Sequence, residues 1–187
     1  GDDAVGRCPL TATGTGGTSR EDLDARARSL AVPAPTAAAP VAAPVRKRPK
    51  VAIIATGDEL VLPGATPADS QIVCSNPFGV ASMLDAFGAD AEFIGIAADT
   101  RESLCAHLDG ARGAEVVITL GGASVGDHDL VGPVLKDRGM ALDFWKIAMR
   151  PGKPLMFGQL GTQRILGLPG NPVSSMITAR LFAVPLV

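Results

Sequence analysis

Val51-Ala-Ile-Ile-Ala-Thr56 is an unbroken apolar run that stops at Gly57. It is too short for a typical helix and shows no polar alternation, so it reads as a strand buried on both faces. Residues 115–120, Glu-Val-Val-Ile-Thr-Leu, repeat that character and stop at Gly121-Gly122. Between the two runs the pattern alternates. Residues 75–87 place Phe78, Ala81, Met83, Leu84 and Phe87 mostly at helical spacing, with Asn76 and Pro77 at the start and Gly88 after the end. Residues 91–97 read as a strand. Residues 100–112 read as a helix capped by Thr100, with Leu104 and Leu108 on one face and Gly113 as its stop. Downstream, the pattern predicts a helix over 130–138, a strand over 142–149, and a hairpin of 155–159 with Gln163–Leu168 around Gly161. A last helix begins at Pro172, behind a cap at Asn171. The alternation predicts a three-layer α/β domain with helices on both faces of a mostly parallel sheet, made mixed by the hairpin.

The chain ahead of this domain has another character. Residues 31–45 read AVPAPTAAAPVAAPV, an extended Pro/Ala linker, and residues 11–19 are a Gly/Thr-rich loop followed by a possible short helix to Leu30. The expected division is therefore a poorly structured segment over 1–45 and an α/β domain over 46–187. Hydrophobic residues at 47% and charged residues at 19% exclude a chain disordered throughout. A net charge of -2 gives no overall basic field for nucleic acid, and Arg46, Lys47, Arg48 and Lys50 read as a solvated strand entry. The longest uncharged stretch, 29–45, is broken by prolines and reads as no membrane span. No signal-peptide pattern is visible, and Cys8, Cys74 and Cys105 are too widely spaced for a metal knuckle, which fits reduced thiols in the cytoplasm. Gly1 in first place and the apolar ending Leu181-Phe-Ala-Val-Pro-Leu-Val suggest a piece of a longer chain.

In open α/β sheets ligands bind beyond the carboxyl ends of the strands. Three loops fall there. Thr56-Gly-Asp-Glu-Leu60 carries Asp58 and Glu59. Gly121-Gly-Ala-Ser-Val-Gly-Asp-His-Asp129 joins glycines, whose backbone amides can approach an anion, to Asp127 and Asp129. Leu168-Pro-Gly-Asn-Pro-Val-Ser-Ser175 joins them if its strand runs the same way. Asp99 follows another strand. Each loop alone reads equally well as a capped turn, but acids at three strand ends would repel one another without a cation between them. With only two histidines in the chain, carboxylates holding magnesium are the expected metal chemistry. Lys146, Arg150 and Lys153 lie along Trp145-Lys-Ile-Ala-Met-Arg-Pro-Gly-Lys-Pro154, where the prolines stiffen the backbone and hold the cations for an oxyanion. Trp145 reads as core or pocket wall, and Cys74 as a structural thiol.

Four of these stretches, together with Gln71-Ile-Val-Cys-Ser-Asn76, resemble in order the central domain of the molybdopterin molybdenumtransferase family, the MoeA and gephyrin E-domain family. The resemblance spans residues 45–187. It implies the MoaB/Mog-like molybdopterin-binding fold and the insertion of molybdenum from molybdate into adenylated molybdopterin, with magnesium and release of AMP. It places the family's acids on Glu59, Asp99 and Asp129, as magnesium ligands or pyrophosphate-orienting groups, and its cations on Lys146 and Arg150, with Lys153 beside them. Gly121, Gly122, Ser124, Gly126, Pro169, Gly170, Asn171 and Ser174 are the expected cofactor-binding positions. The family works as a homodimer with further domains. Leu120 stands where the family has serine, Cys74 where it has aspartate, and Ser70 where it has glycine. A non-catalytic molybdopterin-binding module and a molybdopterin adenylyltransferase are the alternative readings.

Overall fold

The computed structural model describes residues 45–122 and 130–187. Arg46–Val187 forms one compact unit. Its strands and helices follow one another as β1 (Lys50–Thr56), β2 (Leu60–Val61), β3 (Ile72–Val73), α1 (Asn76–Ala86), β4 (Asp90–Ala97), α2 (Arg101–Gly110), β5 (Val116–Leu120), α3 (Val131–Asp137), β6 (Ala141–Trp145), β7 (Met156–Leu160), β8 (Gln163–Leu168) and α4 (Pro172–Thr178). A π-helical turn, Ala179–Ala183, and a 3₁₀ turn, Val184–Leu186, complete the described chain.

Six strands form the main sheet in the order β4-β1-β5-β8-β7-β6. β4, β1, β5 and β8 are parallel neighbours, whereas β7 pairs antiparallel with both β8 and β6. Only β7 therefore runs against the rest, and the chain that leaves β6 emerges at the same edge as the chain that leaves β1, β5 and β8. The apolar runs that decided the fold lie at the centre of the sheet and feed both faces. Val51 and Ile53 of β1, Val116, Ile118 and Leu120 of β5, and Leu166 and Leu168 of β8 pack with Val80, Leu84 and Ala179. Ala52, Ile54, Val117 and Ile165 point the other way, onto Leu104, Leu108, Val134 and Leu135. This alternation across a sheet covered on both sides is why the strands read as unbroken apolar runs.

The predicted caps hold. The Thr100 hydroxyl accepts from the Ser103 N–H at 3.2 Å, and the Asn171 side chain accepts from the Ser174 N–H at 3.2 Å. The apolar ending has a local reason, because Phe182, Val184, Leu186 and Val187 pack against the core on the α1 face and Ala183 is buried in it. Two expectations are corrected. β6 ends at Trp145 rather than Met149, since Lys146 adopts φ +71° and leaves the extended conformation. Trp145 belongs to neither core nor cavity wall; it is partly exposed on the edge strand, with the Lys146 ammonium 5.4 Å from its ring centre. The short parallel pair β2–β3, a sheet of its own, was not expected.

Candidate functional site

The connections from β1 and β5 depart to opposite faces, toward α1 and α3 respectively, and a crevice opens between the two strand ends. A cavity of about 670 Å³ lies there, within the size range of small-molecule sites. β1 contributes Thr56, Gly57 and Glu59; β5 contributes Leu120, Gly121 and Gly122; the β8–α4 turn contributes Pro169, Gly170, Asn171 and Ser174. The third loop thus joins the first two, because β8 runs parallel to β5.

One side of the cavity is acidic. The Glu59 carboxylate folds back over Gly57 and fills the space a Cβ there would need, 2.6 Å from Oε2. The Asp58 carboxylate accepts from the Asp99 N–H at 3.0 Å, and the Gly57 N–H donates to the Ala97 carbonyl at 3.2 Å, so the loops carrying Glu59 and Asp99 are bound together. Both carboxylates line the cavity. Asp129, Ser124 and Gly126 lie outside the described residues. Among the described residues no three His, Cys, Asp or Glu side chains cluster as a metal site. Glu59 and Asp99 supply the hard oxygen donors magnesium prefers and leave room for further ligands.

The β8–α4 turn has the opposite character. The Ser175 hydroxyl donates to the Pro169 carbonyl at 2.6 Å, the Asn76 side-chain amide donates to the Gly170 carbonyl at 2.7 Å, and the Ser175 N–H donates to the Asn171 carbonyl at 2.8 Å. Each of these three carbonyls thus has a partner. The Gly170 and Asn171 amides have no partner among the described residues. The turn therefore presents two unpaired backbone donors.

Gly121 lines the cavity with its own amide already engaged. Its N–H donates to the Leu168 carbonyl at 3.1 Å and is not free for a ligand. Glycine is required there by φ +92° and by the Thr56 carbonyl oxygen, which lies 2.8 Å from where a Cβ would stand. Lys146, Arg150 and Lys153 are exposed and do not line the cavity; Pro154 is the residue of their segment that does. The three cations follow β6, the outermost strand of the sheet, at the edge where β1, β5 and β8 also end.

Sequence reasoning passed over two wall residues. Asn76 was read only as a helix start, and Cys74 only as structural. The Cys74 thiol is buried in the cavity wall, and burial pushes its pKa up, so it holds its proton and is a poor nucleophile. Leu120 likewise lines the cavity while belonging to the core.

Among the described residues, a ligand-sized crevice at the carboxyl edge of an open α/β sheet is the usual place of a small-molecule site in this class of fold. The chain belongs to the family described as probable molybdopterin binding domain, whose model matches residues 52–187. It is 40% identical over 139 residues to a molybdopterin molybdenumtransferase of Haemophilus influenzae and 38% identical over 147 residues to one of Nostoc, covering 74% and 76% of this chain. It spans only about a third, 34%, of the length of each of those relatives. A molybdopterin biosynthesis MoeA protein of Pyrococcus horikoshii superposes with a TM-score of 0.68 at 35% identity, over 74% of this chain and 34% of that one. A molybdenum cofactor biosynthesis protein B shares the fold at a TM-score of 0.56 and 15% identity, over 76% of this chain and 92% of that one. No helix among the described residues is long and apolar enough to cross a membrane.

Proposed function

We propose that residues 46–187 are the molybdopterin-binding and catalytic domain of a molybdopterin molybdenumtransferase, with residues 1–45 a segment that takes no part in the chemistry. The reaction is insertion of molybdenum from molybdate into adenylated molybdopterin, with water cleaving the adenylate to release AMP. It takes place in the cytoplasm, and in a full-length member of the family as a homodimer. The observation that carries the reading is the polarity of the cavity, which is lined both by carboxylates from two loops and by a turn with two unpaired backbone donors. The names of the relatives supply the substrate.

In this reading the Gly170 and Asn171 amides bind an anionic group of the ligand, with Ser174 beside them. The apolar stretch of wall at Leu120 and Cys74 lies against the ring system and excludes water. Glu59 and Asp99, with Asp129, would hold magnesium, which neutralises phosphate charge when bound. Lys146, Arg150 and Lys153 work from the rim, drawing molybdate to the open side by charge.

The test is an AMP-release assay with adenylated molybdopterin, molybdate and magnesium, run on the wild-type chain and on Asp129→Asn and Lys153→Ala. Release by the wild type that either substitution abolishes, in a chain that still folds, is the expected result. Binding of molybdopterin without AMP release assigns the chain to a non-catalytic binding module instead. That reading draws on the Cys74 and Leu120 wall and on the short span of the relatives covered. Consumption of ATP with molybdopterin assigns it to an adenylyltransferase.

A further inference from the structure

The cavity has two walls that come from distant parts of the chain, and one side chain joins them. The β2–β3 pair and the start of α1 form the first wall. β2 and β3 are bonded to each other, with the Ile72 N–H on the Glu59 carbonyl and the Cys74 N–H on the Val61 carbonyl, both at 2.8 Å, and not to the six-stranded sheet. The β8–α4 turn forms the second wall and sits on the main sheet, where a Cβ at Gly170 would lie 3.4 Å from the Gly121 Cα. Among the described residues, the hydrogen bond that crosses from the first wall to this turn is the one from Asn76 Nδ2 to the Gly170 carbonyl, 2.7 Å long and 94 residues apart in sequence. The orientation of the amide is fixed by chemistry, because a carbonyl oxygen accepts only a donor.

Asn76 is the first residue of α1, yet its side chain does nothing for that helix. The cap position is Ser75, which makes no side-chain capping bond, and the Asn76 amide is spent on the opposite wall. We propose that Asn76 is a positioning residue. It fixes the separation of the two walls and turns the Gly170 carbonyl away from the ligand, leaving the turn as a donor surface. This rests on the molybdopterin reading given above. Asparagine is suited to the task because it is short, uncharged and carries a donor. Alanine removes the link, and aspartate keeps the shape but replaces the donor with a second acceptor facing the Gly170 oxygen.

The experiment measures molybdopterin affinity for the full chain, for Asn76→Ala and for Asn76→Asp, together with amide hydrogen exchange in the ligand-free proteins. Both variants are expected to bind roughly three- to tenfold more weakly, the scale of one hydrogen bond. Exchange at Ser174 and Ser175, whose N–H groups are bonded to Asn171 in the turn, is expected to speed up, while exchange at Val80 and Leu84 within α1 stays unchanged. A variant that binds within twofold of a binding wild type overturns the role of Asn76 and leaves the functional reading standing. Faster exchange throughout α1 makes Asn76 a helix residue and also overturns the proposal. A wild-type chain that does not bind molybdopterin removes the functional reading, and this inference with it.

Discussion

Replacing Gly121 with alanine tests what the glycine pair at the end of β5 is for. The new Cβ would stand 2.8 Å from the Thr56 carbonyl oxygen, which is backbone at the end of a buried strand and cannot step aside. The residue would also have to keep φ +92°. Gly139 is the natural control, with φ +90° and nothing within 4 Å of its would-be Cβ. The left-handed backbone costs an alanine about 1–2 kcal/mol at either position. Overpacking against Thr56 adds about 1–3 kcal/mol at Gly121 alone. The entropy lost from the unfolded chain is the same for both variants and cancels in the comparison. Gly121→Ala is therefore expected to be less stable than Gly139→Ala by about 1–3 kcal/mol, or roughly 3–10 °C in Tm for a domain of this size. Thermal and urea unfolding of the ligand-free proteins measure the difference. Equal losses would refute the reasoning.

Two further outcomes follow from the same wall. The Thr56 hydroxyl is buried with no hydrogen-bond partner among the described residues, so Thr56→Val, which removes the hydroxyl at nearly constant shape, is expected to leave Tm unchanged or raise it; a clear fall in Tm would show that the hydroxyl is paired. Burial raises the Cys74 pKa, so the folded protein holds the thiol proton that the unfolded chain gives up. That contribution to stability is present below the ordinary thiol range and is lost as pH rises through the raised value. Alkylation of Cys74 by iodoacetamide, followed by mass spectrometry at pH 8, is expected to be at least about tenfold slower in the native protein than in urea; equal rates would contradict the buried placement.

The elements visible in the sequence are those whose cause is local or periodic. Val51–Thr56 and Val116–Leu120 are apolar because they lie mid-sheet under helices on both faces, and no loop of this composition would carry such runs. Thr100 and Asn171 were legible as caps because a side chain bonding three residues ahead is a short-range event. What was missed depends on contacts between distant residues. Nothing near Asn76 shows that its amide meets Gly170, and nothing near Gly121 shows that Thr56 occupies the place of its Cβ. The two-residue strands β2 and β3 are too short to have a period. The end of β6 is set by the backbone angle at Lys146, where no glycine or asparagine gives warning. That the cations of that segment follow the outermost strand was not legible either, because sequence order does not give the separation of β6 and β1 across the sheet.

The central claim is that one cavity at the carboxyl edge of the sheet binds molybdopterin. A titration of the isotopically labelled chain with molybdopterin, followed by backbone amide NMR, tests it most directly. The account predicts saturable shifts at Gly57, Asn76, Gly122, Gly170 and Asn171, all in the cavity wall. Absence of saturable binding, or shifts confined to the smaller depression around Asp90 and Gly113, would contradict it.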